Sequence, residues 1–81
     1  MAIKVVFYEY DFKKDRDVAI GSMTWDGKKI TAVGKGVQMI LTDLTETGVK
    51  GVFPKDGEKF LKALKGKYDN PYLRASDVME S

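Results

Sequence analysis

The dipeptide Asp26-Gly27 is the feature that most restricts how this chain can fold. Strand-forming residues lie on both sides of it, at 18–25 and 29–33. Asp-Gly between two such runs is among the strongest signals for a two-residue hairpin turn, because Gly adopts positive φ without a Cβ clash. The sequence therefore predicts an antiparallel hairpin here.

A two-residue turn also sets the register of this hairpin. It would place Trp25 opposite Lys28 and Met23 opposite Ile30. We expect Gly21 to mark a bulge or a close backbone approach, because Gly inside a strand is typical of both. Trp25 is expected to be buried on the face that the rest of the chain covers.

Residues 3–12 form a further strand, since they are rich in Val, Ile, Phe and Tyr, and the charged segment 13–17 has the length of a hairpin loop. Pairing Phe12 with Val18 across this loop assigns the side chains to two faces, and a slip of one residue would invert the first strand alone. The core face then carries Val5, Phe7, Met23, Trp25 and Ile30, and the opposite face carries Tyr8, Tyr10, Ser22, Thr24, Lys29 and Thr31.

Apolar residues then recur at helical spacing, which predicts a first short helix at 37–47 with Gly36 as its N-cap. A second helix is expected to begin at 56–58, to run through 64 or 65 and to end at Gly66.

The predicted fold is α+β, an antiparallel meander of three strands followed by two short helices packed on one face. A short extended piece is expected at 49–53 and a last short strand at 72–75. Residues 1–75 form a single domain in this interpretation, and 76–81 are expected to be a flexible tail.

Composition narrows the class of protein. The chain of 81 residues has no Cys, which excludes disulfides and thiolate zinc sites and fits a cytoplasmic protein. No apolar run approaches the roughly 18 residues of a membrane span, and the start lacks a signal-peptide pattern. The net charge of +2 is too small to indicate a nucleic acid or a membrane by itself.

The chain also has no His, so Ser-His and Cys-His nucleophilic systems are excluded along with the commonest metal ligand. The carboxylate pairs Glu9 with Asp11 and Asp15 with Asp17 are interpreted as solvated turn residues, and the glycines before the first helix as a connector without a phosphate-loop ending. We therefore expect no enzymatic activity, no cofactor and no metal site.

Tyr8, Tyr10 and Phe12 alternate along one face of the first strand and form the main candidate interaction surface. Contact with a protein partner or a second copy is favoured, because two short helices can cover only one face of the sheet. Burial within the monomer and stacking of single-stranded nucleic acid are the alternatives. The sequence thus predicts a small non-enzymatic module acting through protein contact or self-association.

Lys55, Lys59 and Lys62 lie on one side of the second helix, with Lys65 and Lys67 just beyond. Clustered lysines bind phosphates, so these residues are candidate contacts for a nucleic-acid backbone. A solvated helix face is the favoured interpretation, since Glu58 lies close to the stripe.

The segment Pro54-Lys55-Asp56-Gly57-Glu58-Lys59-Phe60-Leu61-Lys62-Ala63-Leu64, followed by Tyr72-Leu73-Arg74-Ala75, resembles the end of a family of small prokaryotic proteins of unassigned function. The family pattern is Pro-x-Asp-Gly-Glu-x-Phe-Leu-x-Ala-Leu … Tyr-Leu-x-Ala. The resemblance covers the last third of the chain and implies a prokaryotic cytosolic protein, but no activity.

Overall fold

The computed structural model describes residues 2–46 and 57–80, which form an antiparallel sheet of five strands and two helices. The elements in chain order are β1 (Ile3–Asp11), β2 (Arg16–Trp25), β3 (Ile30–Val33), α1 (Lys35–Glu46), α2 (Gly57–Lys67), β4 (Leu73–Ala75) and β5 (Met79–Glu80). The strand order is β3-β2-β1-β4, and β5 pairs with the start of β1. The predicted α+β class is confirmed, but the prediction of a three-stranded sheet is wrong, because the C-terminal segment adds strands to β1.

The first hairpin pairs Val5 with Met23, a register two residues away from the predicted one. A shift of two residues retains the face of each side chain up to Phe7, so Val5, Phe7 and Met23 share the core face as predicted. The ladder slips by one residue between Phe7 and Tyr8, opposite Gly21. The predicted irregularity at Gly21 is therefore confirmed as a bulge.

The second hairpin pairs Trp25 with Ile30, so its loop has four residues and the predicted two-residue turn is wrong. The Asp26 carboxylate stabilises the longer loop, because its Oδ1 accepts the backbone N–H groups of Lys28 at 2.8 Å and Lys29 at 2.9 Å. These two hydrogen bonds lower the pKa of Asp26, and the bond from Lys29 has the larger effect. Gly27 has φ of 100°, and the predicted positive φ is confirmed.

Helix α1 begins two residues earlier than predicted. Gly34, with φ of 97°, ends β3, and its carbonyl accepts the N–H of Gln38 at 2.9 Å. The expected N-cap Gly36 thus lies inside the first turn. Helix α2 continues past Gly66, its predicted end, to Lys67.

In residues 2–46 and 57–80, neither helix is long and apolar enough to cross a membrane. The expected extended piece at 49–53 and the expected start of the second helix at Asp56 lie outside the described residues.

The core is one cluster of buried apolar side chains around Phe7, which is fully buried. Phe7 meets the ring of Tyr68 edge to face, with 5.6 Å between ring centroids. Trp25 lies on the predicted face, but it is only half-buried at the margin of the cluster, where its indole packs on Gly57. The buried residues of the core cluster are Ile3, Val5, Phe7, Met23, Val37, Phe60, Leu61, Leu64 and Ala75.

The segment after Ala75 runs along β1, although the sequence predicted a flexible tail from residue 76. Ser76 bonds twice to Val6: its N–H donates to the Val6 carbonyl at 2.8 Å, and its Oγ accepts the Val6 N–H at 2.9 Å. Further along the chain, Met79 of β5 pairs with Lys4 of β1. Within the described part of this segment, Met79 and Glu80 therefore belong to the sheet, and Ser76 bonds to its central strand.

Replacing Gly21 with Ala should cost more stability than replacing Gly27 with Ala. A Cβ at Gly21 would collide with the Val33 carbonyl oxygen and lie 2.8 Å from Cγ2 of Val37, whereas a Cβ at Gly27 meets nothing within 4 Å. We expect a loss of about 3 kcal/mol or more for Gly21→Ala, from overpacking against backbone, and about 1 kcal/mol for Gly27→Ala, from positive φ alone. Urea unfolding of both variants measures the difference, and equal losses would contradict this account of the bulge.

Candidate interaction surface

Tyr8 and Tyr10 lie on the face of β1 opposite to Phe7, which we call the outer face of the sheet. Their neighbours across the strands are short or polar. Tyr8 pairs with Ala19 in β2 and with Arg74 in β4. The tyrosine rings therefore stand beside small or charged side chains and remain partly exposed.

Three aromatic rings meet where the outer face reaches the tip of the first hairpin. The ring of Phe12 lies 4.9 Å from that of Tyr10 at an interplanar angle of 81°, and 6.0 Å from that of Tyr72 at 39°. The Tyr10 N–H donates to the Tyr72 carbonyl at 2.9 Å, which holds the two backbones side by side. We call Tyr10, Phe12 and Tyr72 the aromatic cluster.

The aromatic cluster is open to solvent. Phe12 is 74% exposed and Tyr72 is 62% exposed, although both rings contact other rings. A cluster of large apolar side chains this accessible is typical of a contact surface, because burying it in a complex removes apolar area from water. Two of the three predicted surface residues, Tyr10 and Phe12, belong to the cluster, and Tyr8 lies beside it on the same face.

Tyr72 was missed by the sequence analysis as a member of this surface. The predicted strand at 72–75 had no assigned neighbour, so the adjacency of Tyr72 to Tyr10 had no local signal. Asn70 stabilises the turn before β4, because its Oδ1 accepts the N–H groups of Tyr72 at 2.9 Å and Leu73 at 2.8 Å.

The acidic residues beside the cluster shape the first hairpin loop. The Asp11 Oδ1 accepts the N–H groups of Lys13 at 2.9 Å and Lys14 at 3.2 Å. Asp15 has φ of 52° and accepts a hydrogen bond from the Tyr10 hydroxyl. These contacts give the two carboxylates a structural role in the turn.

The hydroxyl of Tyr10 lies in a negative electrostatic environment. Its hydrogen bond to Asp15 is the largest cause that raises the pKa of Tyr10, followed by desolvation and by the charges of Asp17 and Asp11. Asp17 acts on Tyr10 and also pairs with Arg74, since its Oδ2 lies 3.9 Å from the Arg74 guanidinium. The aromatic cluster thus adjoins three carboxylates.

A shallow depression of about 480 Å³ lies next to the cluster at the same end of the hairpin. Its lining combines apolar side chains with carboxylates. The lining residues are Glu9, Tyr10, Asp11, Phe12, Lys13, Val18 and Ile20.

The predicted lysine stripe of α2 is partly paired. Lys59 is exposed, whereas Lys62 lies 3.7 Å from Glu58 and Lys65 lies 2.6 Å from Asp77. The carboxylate of Asp77 raises the pKa of Lys65. Lys55 lies outside the described residues.

In the part of the chain that the structure describes, no polar or charged side chain is buried and no group of three or more His, Cys, Asp or Glu side chains could hold a metal ion. Comparison of the chain with protein-family models, with curated proteins and with solved structures found no match. The aromatic cluster is therefore the feature from which we argue function.

Replacing Asp15 with Asn should lower the pKa of Tyr10, because it exchanges the charged acceptor of the Tyr10 hydrogen bond, the largest cause of the raised pKa, for a neutral one. The raised pKa stabilises the fold below the usual tyrosine pKa of 10.0, and this contribution is lost as the pH rises through the folded-state value. NMR titration of the Tyr10 ring measures the shift, with Asp26→Asn in the other hairpin as the control. An unchanged Tyr10 titration would contradict the hydrogen bond.

Lys59→Gln and Lys62→Gln should each change the free energy of unfolding by less than about 0.5 kcal/mol, because both side chains face solvent and an exposed ion pair on a helix contributes little. Urea unfolding at moderate salt tests both variants. A loss above about 1 kcal/mol would show that the lysine face is packed.

Proposed function

We propose that this chain is a non-enzymatic cytoplasmic module that binds another protein chain, a partner or a second copy, through the outer face of its sheet. The exposure of the aromatic cluster carries the proposal. Phe12 and Tyr72 offer large apolar surfaces that are held in place by ring contacts and by the pairing of β1 with β4. A preordered aromatic surface loses little side-chain entropy on binding.

The proposal includes an arrangement in which both helices pack on the core face and leave the outer face open. Supporting it, Val37 of α1 and Leu61 and Leu64 of α2 belong to the same buried cluster as Phe7 and Met23. Phe7 and Met23 share one face of the sheet, so helices that contact them stand on that face. Tyr8 and Tyr10 then face away from both helices.

Binding of single-stranded nucleic acid is the alternative, and two observations weigh against it. Three carboxylates adjoin Tyr10 and would repel a phosphate backbone near the rings. The lysines of α2 would stand on the side of the molecule away from the outer face, and two of them already have acidic partners. A strand stacked on the aromatic cluster would therefore lack a continuous basic track.

Phe12→Glu should weaken association while retaining the fold, because it places a charge in a surface that loses its water on binding. Met39→Glu is the matched control, since Met39 is also an exposed apolar residue, 62% accessible, but lies on α1. Sedimentation of wild type and variants over a range of concentrations measures self-association, and circular dichroism checks the fold.

A wild type that remains monomeric at high concentration would remove self-association from the proposal. The same samples are then titrated with short single-stranded oligonucleotides at low and moderate salt. Binding that weakens with salt and with Phe12→Glu would favour the nucleic-acid alternative instead.

A further inference from the structure

The aromatic cluster is suited to a cation. The ring of Phe12 is largely exposed and stands nearly perpendicular to that of Tyr10, so rings of different orientation border the same space. The face of an aromatic ring attracts a cation placed within about 6 Å of its centre. Rings that meet at a corner can contact one cation from two sides.

The charges around the rings favour the same kind of ligand. Asp11, Asp15 and Asp17 each raise the pKa of Tyr10, as acidic groups close to its hydroxyl are expected to do. The basic neighbours are Lys13 and Lys14 in the exposed hairpin loop, Arg16 at the start of β2, and Arg74 in β4. Arg74 is already engaged, because it lies near Asp17 and its Nε donates to the Asn70 carbonyl at 3.3 Å.

The adjacent depression adds an apolar component. Val18 and Ile20 line it together with Phe12. Two acidic residues, Glu9 and Asp11, and one basic residue, Lys13, also line it. A ligand that fits all of these groups has a positively charged group at the end of an apolar chain, with further apolar groups beside it.

From these features we infer that the partner is a segment of another protein that presents an arginine side chain flanked by apolar residues. This inference rests on the proposed function and names the chemistry of the partner. The planar guanidinium stacks on aromatic rings and bonds to a carboxylate through two N–H groups at once, which a lysine ammonium cannot do. The chain's own arginines, Arg16 and Arg74, both flank this surface, so a second copy is the less suitable donor.

The test compares two short peptides, acetylated and amidated, that contain leucine and either arginine or citrulline. Citrulline has nearly the shape of arginine but no charge. We expect the arginine peptide to shift the NMR signals of Tyr10, Phe12 and Tyr72 saturably, and to bind about 10-fold more tightly than the citrulline peptide. Its affinity should decrease with added salt.

Two variants separate the contributions of ring and charge. Phe12→Leu keeps an apolar side chain but removes the ring, and should weaken binding of the arginine peptide about 2- to 5-fold with little effect on the citrulline peptide. Asp17→Asn should reduce the preference for arginine over citrulline. Met39→Leu on α1 is the control that should change neither affinity.

Equal binding of the two peptides, signal shifts centred on α2, or no binding of either peptide would each overturn the inference. Tighter binding of a single-stranded oligonucleotide at the same three aromatic residues would also overturn it. If neither peptide binds but Phe12→Glu lowers the mass of an associated wild type, the inference fails and the proposed function stands. If neither peptide binds and the mass does not change, both fail.

Discussion

The packing of Phe7 is the constraint on which the rest of the fold depends. Its neighbours across the sheet are Gly21 on one side and Ala75 on the other, so two small residues flank this fully buried ring in the central strand. At Gly21 the missing Cβ also lets the Val33 carbonyl and the Val37 side chain approach. One position thus accommodates a ring, a neighbouring strand and a helix.

The sequence predicted the two faces of the sheet better than it predicted the pairings. Alternation of apolar and polar residues placed Phe7 and Met23 on one face and Tyr8 and Tyr10 on the other, and a register error of two residues before the bulge left the faces of Phe7 and Met23 intact. The register errors arose in the loops. At Asp26 the carboxylate bonds to two backbone N–H groups, which favours a longer loop than the dipeptide alone indicates.

Contacts between segments far apart in the chain could not be predicted from the sequence. β4 and β5 are three and two residues long, too short for a periodic signal, and their place beside β1 depends on pairings with the opposite end of the chain. The candidate surface was accordingly half predicted: the alternation within β1 indicated Tyr10, but only the β1–β4 pairing brings Tyr72 to Phe12. The same pairing orders the rings on the outer face and thereby links the fold to the proposed contact.

The pairing of Val6 with Ser76 joins residues 70 positions apart, and this separation has a consequence for how the chain acquires its structure. During synthesis the β1–β2 hairpin can form early, but β4 and β5 can pair with β1 only after residues 73–80 have left the ribosome. The N–H and C=O groups of β1 are a template for strand addition during that interval. A chain that lacks these residues therefore exposes an edge of β1 prone to aggregation, which β4 and β5 cover in the folded structure.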